Sequence, residues 1–225
     1  MARRGDAGVS SGKATGASVE ILQSGMGLRE AAGAVICLHG RGAAASDILK
    51  LGDKFQLSGL AYIAPEAAGR SWYPASFLQP LDLNQPALET ALGQIEEILR
   101  SITAAGIARN QVALAGFSQG ACLACEFAAR HPARYGGVLA FTGGLMGPPG
   151  TAWNFAGDLG GTPVFLGAGD QDPHVPWRRV EETAAVMKRM GGAVELRCYP
   201  GLPHVIHPDE IECGRRILEQ MPANS

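Results

Sequence analysis

The sequence predicts an α/β fold: a single doubly wound, mostly parallel sheet with helices on both faces. Apolar β-rich runs alternate along the chain with helical stretches, which implies parallel strands joined by right-handed crossovers. Each apolar run is short and nearly continuous, as in strands covered on both faces. The chain has 225 residues, 46% hydrophobic and 18% charged, enough for one well-buried core. A domain over 18–225 is therefore expected, preceded by a disordered tail over 1–17.

In chain order, strands are expected over 18–23, 34–38, 61–64, 111–115, 138–142, 163–168 and 194–199. Helices are expected over 46–56, 85–105, 119–130, 176–190 and 208–220. Ser46 precedes Asp47, Ile48 and Leu49 as an N-cap, and Pro208 suits a first helical turn after His207. The helix after residue 118 stops at His131-Pro132. Between Gly69 and Pro86 runs a long stretch with Trp72, Tyr73, Pro74 and Phe77 but no clear periodicity. A long aromatic loop in a compact domain points to function, with edge-of-core cover as the plainer reading.

Composition excludes several classes. The net charge is −2 and the basic residues are scattered, so no nucleic-acid partner is expected. The basic Met1–Arg4 segment leads into no apolar run, which reads as neither a signal peptide nor an anchor. No run is long enough to span a bilayer. The expected setting is cytoplasmic, the five cysteines being an odd number of reduced thiols. Cys122 and Cys125 have a metal or redox spacing, but they lie inside a helix of small residues and no second ligand pair accompanies them. No metal and no cofactor is expected.

The chemistry centres on Gly116-Phe117-Ser118-Gln119-Gly120, between an expected strand and an expected helix. Strand, G-x-S-x-G, helix is the context of a nucleophile elbow, a serine on a strained turn above the sheet. A serine hydroxyl becomes a useful nucleophile only beside a base, and that base needs an orienting carboxylate. With the order serine, acid, histidine, the search runs downstream of Ser118. The loop after strand 163–168 offers Asp170 and Asp172. Asp170 reads as a turn former or loop brace, while Pro173 holds Asp172 extended. His39 and His131 lie in the wrong order, and His131 reads as a helix C-terminal residue. His174 shares the acid's loop, and His207, just before the last helix, is the main competitor, with a helix-capping or surface role as its plainer reading. His204, on the loop after strand 194–199, is the expected base. Oxyanion donors are expected from the backbone N–H groups of Gln119 and, after His39-Gly40, of Arg41.

Taken together, His39-Gly40-Arg41-Gly42, Ser71-Trp72-Tyr73-Pro74, Gly116 to Ala121, Asp172 to Pro176 and Tyr199 to His204 resemble the phospholipase/carboxylesterase family. The resemblance spans about residues 18–220, with the motifs in that family's order. It implies an α/β-hydrolase fold with Ser118 as nucleophile, Asp172 as acid, His204 as base, and Arg41 and Gln119 at the oxyanion. The Ser71–Pro74 loop looks like the bacterial branch rather than the eukaryotic thioesterases that act on lipidated proteins. Dienelactone hydrolases share the fold but carry cysteine where this chain has Ser118. The expected reaction is hydrolysis of small to medium carboxylic esters through an acyl-enzyme. An acyl-protein thioesterase or lysophospholipase with a longer acyl groove is the second reading, and a silent ligand-binding protein the third. Trp72, Tyr73, Phe77, Leu145 and Trp177 are the expected pocket walls. The partner is then a small-molecule ester or thioester, with a homodimer left open.

Overall fold

In the computed structural model, which describes residues 20–222, seven strands form one sheet. The expected tail at 1–17 lies outside the described residues. The strands are β1 (Ile21–Gly25), β2 (Gly33–Leu38), β3 (Leu60–Pro65), β4 (Val112–Phe117), β5 (Gly137–Phe141), β6 (Pro163–Gly169) and β7 (Ala193–Tyr199). Their order is β1-β3-β2-β4-β5-β6-β7, with β1 antiparallel to β3 and every other pairing parallel. β2 to β5 are buried throughout apart from Phe117, as their continuous apolar runs require. The edge strand β1 instead alternates exposed and half-buried residues, because it is covered on one face and paired on one side.

Five α-helices flank the sheet: α1 (Ala45–Phe55), α2 (Ala87–Ala104), α3 (Gln119–Arg130), α4 (Trp177–Arg189) and, after the last strand, α5 (Pro208–Glu219). One apolar cluster packs α2, α3 and α4 onto one face of the sheet through residues such as Leu88, Ile95, Leu123, Phe127 and Val180. The other face holds α1 and α5 through Ile48, Phe55, Ile217 and Leu218. The sheet is therefore covered on both sides, as a doubly wound fold demands.

The cap of α1 differs from the sequence reading. Ala44, not Ser46, is the N-cap residue, and the Asp47 carboxylate accepts its amide at 3.1 Å. Asp47 replaces a missing cap side chain by reaching back from the first turn, so Ser46 is free to be helical. Pro208 opens α5 as expected, and His207 is its cap, with Nδ1 accepting the amide of Asp209 at 3.1 Å.

The chain switches direction between β2 and β4: β3 lies on one side of β2, and all later strands lie beyond β4 on the other. A crevice opens at the carboxyl ends of strands flanking such a switch point. The loops leaving β2 and β4 are those with His39–Arg41 and Ser118.

Against β6, α5 contributes Glu210, a fully buried carboxyl whose Oε1 lies beside Gly167. One oxygen accepts the His207 amide at 2.6 Å, while Oε1 has no hydrogen-bond partner among the described residues. Burial pushes its pKa up to about 7, against the lowering effect of the His207 amide. The folded state thus keeps Glu210 protonated between about pH 4.5 and 7, where the unfolded chain ionises it. This group's contribution to stability is complete below pH 4.5 and declines as pH rises to 7, by about 3 kcal/mol. Glu210→Gln keeps an acceptor for the His207 amide and does not titrate. Urea denaturation from pH 4 to 8 should show wild-type stability falling relative to that variant up to pH 7 and staying parallel above it.

Candidate active site

Ser118 lies between β4 and α3 with φ 54° and ψ −116°, a left-handed-side backbone that side chains other than glycine rarely adopt. Packing on all sides imposes it. The Ser118 amide donates to Phe141 O of β5 at 3.0 Å, and Ser118 O accepts the Cys122 amide of α3 at 3.0 Å. A Cβ on Gly116 would overlap the Gly120 backbone, and one on Gly120 would overlap the Leu38 carbonyl of β2. The two glycines therefore let α3 descend onto β2 and β4 with the serine at the top of the turn.

The hydroxyl of Ser118 lies 2.8 Å from His204 Nε2. On the other side of the ring, His204 Nδ1 lies 2.6 Å from Asp172 Oδ2. Oδ1 of Asp172 accepts the amides of His174 and Val175 at 2.7 and 2.9 Å, so both carboxylate oxygens are committed and the side chain is fully buried. The two loops are interlocked. The Leu202 backbone lies where a Cβ on Gly169 would have to be, and Asp170 Oδ1 accepts the Gly201 amide at 2.7 Å. Asp170 is thus the brace of the histidine loop, and Asp172 faces the ring.

Gly40 packs against Phe117 and Ser118, which sets the Gly40–Arg41 peptide beside the serine. The Gln119 amide opens α3, where the first-turn N–H groups have no intrahelical acceptor. The histidine of the same turn is structural. The Ala67 amide donates to His39 Nε2 at 3.0 Å, so the ring proton is on Nδ1 and goes to Gly40 O at 2.8 Å.

The side chains of Arg41 and Gln119 have a second task, one their backbone role in the sequence reading does not contain. Gln119 Oε1 accepts the Trp72 amide at 3.0 Å, and its Nε2 donates to Tyr73 O at 2.8 Å. The Arg41 guanidinium donates to Ser71 Oγ, Pro74 O and Ala75 O at 3.0, 2.9 and 2.8 Å. These two side chains strap the Ser71–Ala75 loop over the serine. Their signal in the sequence is limited to polar residues beside small-residue turns.

A cleft of about 440 Å³ opens over Ser118 and His204, with Arg41 and Gln119 in its wall. Tyr73 and Phe77 line it as expected. Trp72, Leu145 and Trp177 are not among its lining residues. The Trp72 indole turns inward to donate to His39 O at 2.9 Å. Leu145 is pulled into the core because its amide donates to Thr183 Oγ1 and its carbonyl accepts from the buried Arg179. Trp177 packs against the core from the start of α4. In their place stand Cys122, His174 and Val175. Cys122 is four residues after Ser118 on α3, and such a spacing puts both on one helix face. The partners of Asp172, His174 and Val175, reach the wall because their amides fold around its carboxylate.

The fold and this elbow define an α/β hydrolase. Residues 25–221 match the phospholipase/carboxylesterase family, and the chain belongs to it. It is 44% identical to a phospholipase/carboxylesterase from Dyadobacter fermentans, with a TM-score of 0.86 over 90% of this chain and 97% of that one. It is 27% identical over 159 residues to a probable SOBER1-like carboxylesterase of Arabidopsis thaliana, covering 69% of this chain and 60% of the relative. To acyl-protein thioesterase 1 of Saccharomyces cerevisiae it is 30% identical over 128 residues, covering 54% of this chain and 55% of the relative. The chain thus spans somewhat more than half the length of these two curated relatives. No described helix is long and apolar enough to cross a membrane.

Gly120→Ala tests the packing that sets the serine. Its methyl group meets backbone on β2 that has no room to yield, so the variant should lose about 1–3 kcal/mol of stability in thermal unfolding. Any fluorophosphonate labelling of Ser118 should slow in the same protein.

Proposed function

We propose that this protein is a serine hydrolase of carboxylic esters and thioesters, acting on small to medium acyl groups through an acyl-enzyme. The observation that carries the reading is the continuous hydrogen-bonded line from Ser118 through His204 to Asp172. Ser118 Oγ attacks the substrate carbonyl while His204 Nε2 takes its proton. Asp172 holds the ring with Nδ1–H toward itself and stabilises the imidazolium that forms. The tetrahedral oxyanion is received by the backbone N–H groups of Arg41 and Gln119, the latter at the positive end of α3. Collapse transfers the His204 proton to the leaving alcohol or thiol and leaves Ser118 acylated. Water then attacks the acyl-enzyme, with His204 taking its proton. The acid is released as the proton returns to Ser118.

Supporting the acyl-chain range is a cleft near the lower end of ordinary ligand-pocket sizes, with Tyr73, Phe77 and Val175 as buried apolar wall. The names of the curated relatives cover both leaving groups, carboxylesterase and acyl-protein thioesterase. The substrate is accordingly a small-molecule ester or thioester, hydrolysed without a cofactor.

Ser118→Ala should lower kcat for p-nitrophenyl butyrate by roughly 10⁴ to 10⁶-fold, and Asp172→Asn by about 10⁴-fold. Wild-type kinetics of Ser118→Ala would overturn the assignment. In a chain-length series of matched esters and thioesters, kcat/KM should peak at or below medium length. A continued rise into long acyl chains would favour the thioesterase or lysophospholipase reading.

A further inference from the structure

The charge of the cleft is one-sided. Arg41 is the charged side chain among its lining residues, the exposed His174 imidazole adds a polar group, and no aspartate or glutamate lines it. The guanidinium of Arg41 makes no ion pair with a carboxylate among the described residues; its three bonds go to a hydroxyl and two carbonyls. Those acceptors use three of the five guanidinium N–H donors, so two donors and the full charge remain available. His174 stands edge-on to His204, with ring centroids 4.9 Å apart, at the reacting end of the cleft.

Carboxylates on adjoining elements have partners of their own and form no ion pair with Arg41 among the described residues. Asp172 is buried and held by His204 and two amides. Asp170 accepts the Gly201 amide, while Glu66 accepts the Ala45 amide and pairs with Arg70 at 3.7 Å. The chain as a whole carries a net charge of −2, so the unpaired guanidinium in the cleft wall is a local arrangement and not a reflection of overall composition. The same wall is apolar at Tyr73, Phe77 and Val175.

We infer that the site selects esters or thioesters that carry a carboxylate of their own, received by the Arg41 guanidinium and the His174 imidazole. This rests on the hydrolase reading above and names its substrate class. An anion in the cleft would meet an unneutralised guanidinium beside low-dielectric walls, where a charge pair counts for more than in water. Arg41 serves here as a specificity residue through its side chain, separately from its backbone N–H.

The test compares kcat/KM for p-nitrophenyl hydrogen adipate with that for its neutral methyl ester. A second pair, a carboxy-substituted nitrophenyl butyrate and p-nitrophenyl butyrate, puts the carboxylate on the leaving group. At low ionic strength at least one anionic substrate should exceed its neutral match by about tenfold or more, and 0.5 M salt should shrink that ratio. Arg41→Gln should lower both rates of the favoured pair, because the loop strap is lost, and bring their ratio toward one. Arg41→Lys should restore much of the ratio, which a purely structural role would not do. His174→Gln reads the same ratio in a protein whose strap is intact and should lower it about two- to fivefold. Ser118-dependent hydrolysis with neither anionic substrate favoured would overturn this inference and leave the hydrolase reading standing. Absence of hydrolysis of all four esters would overturn both.

Discussion

The geometry of the site depends on the tight descent of α3 onto the parallel strands β2 and β4. Gly116 and Gly120 allow it, because a side chain at either would occupy space already held by backbone. Ser118 at the apex then has a backbone with φ 54°, a conformation whose cost is on the order of 1–3 kcal/mol. The surrounding structure holds it there through the Phe141 carbonyl on one side and the first turn of α3 on the other. Since the serine is fixed by sheet and helix and not by a free loop, the histidine needs only a braced loop to meet it. Asp170, Asp172 and the close approach of Leu202 to Gly169 supply that brace.

Two residues join the elbow to its roof. The backbones of Arg41 and Gln119 flank Ser118, and their side chains strap the Ser71–Ala75 loop. Trp72 closes the arrangement from below by bonding the His39 carbonyl, while Tyr73 turns its ring into the cleft. The elbow amides, the loop strap and the cleft wall are thus parts of one hydrogen-bonded unit. A change in the loop would be felt at the serine without any shift in the sheet.

Much of this was legible in the residues, for identifiable reasons. Continuous apolar runs located the five parallel strands β2 to β6 to within two residues, because burial on both faces leaves little compositional freedom. Helix α3 spans the expected 119–130, since an elbow glycine and His131-Pro132 delimit it. Order along the chain narrowed the acid to Asp170 or Asp172 and the base to His174, His204 or His207. Loop position with the family resemblance singled out Asp172 and His204, which the structure places in line with Ser118. What escaped was decided by side-chain direction in aperiodic loops. Trp72 and Leu145 sit on loops beside the site, yet hydrogen bonds to His39, Thr183 and Arg179 turn them into the core. Ser46 was misplaced as a cap because Asp47 can serve the same amide from inside the helix. The straps of Arg41 and Gln119 reach loops 30 to 48 residues away, a separation that no local pattern encodes.

The central claim is that Ser118 is the nucleophile and His204 activates it. Intact-mass and peptide mass spectrometry after brief exposure to a fluorophosphonate tests both at once. The account predicts one adduct per chain, on the peptide bearing Ser118, formed at least a thousandfold more slowly in His204→Ala. Efficient ester hydrolysis by a protein whose Ser118 stays unmodified, or an adduct on another residue, would contradict it.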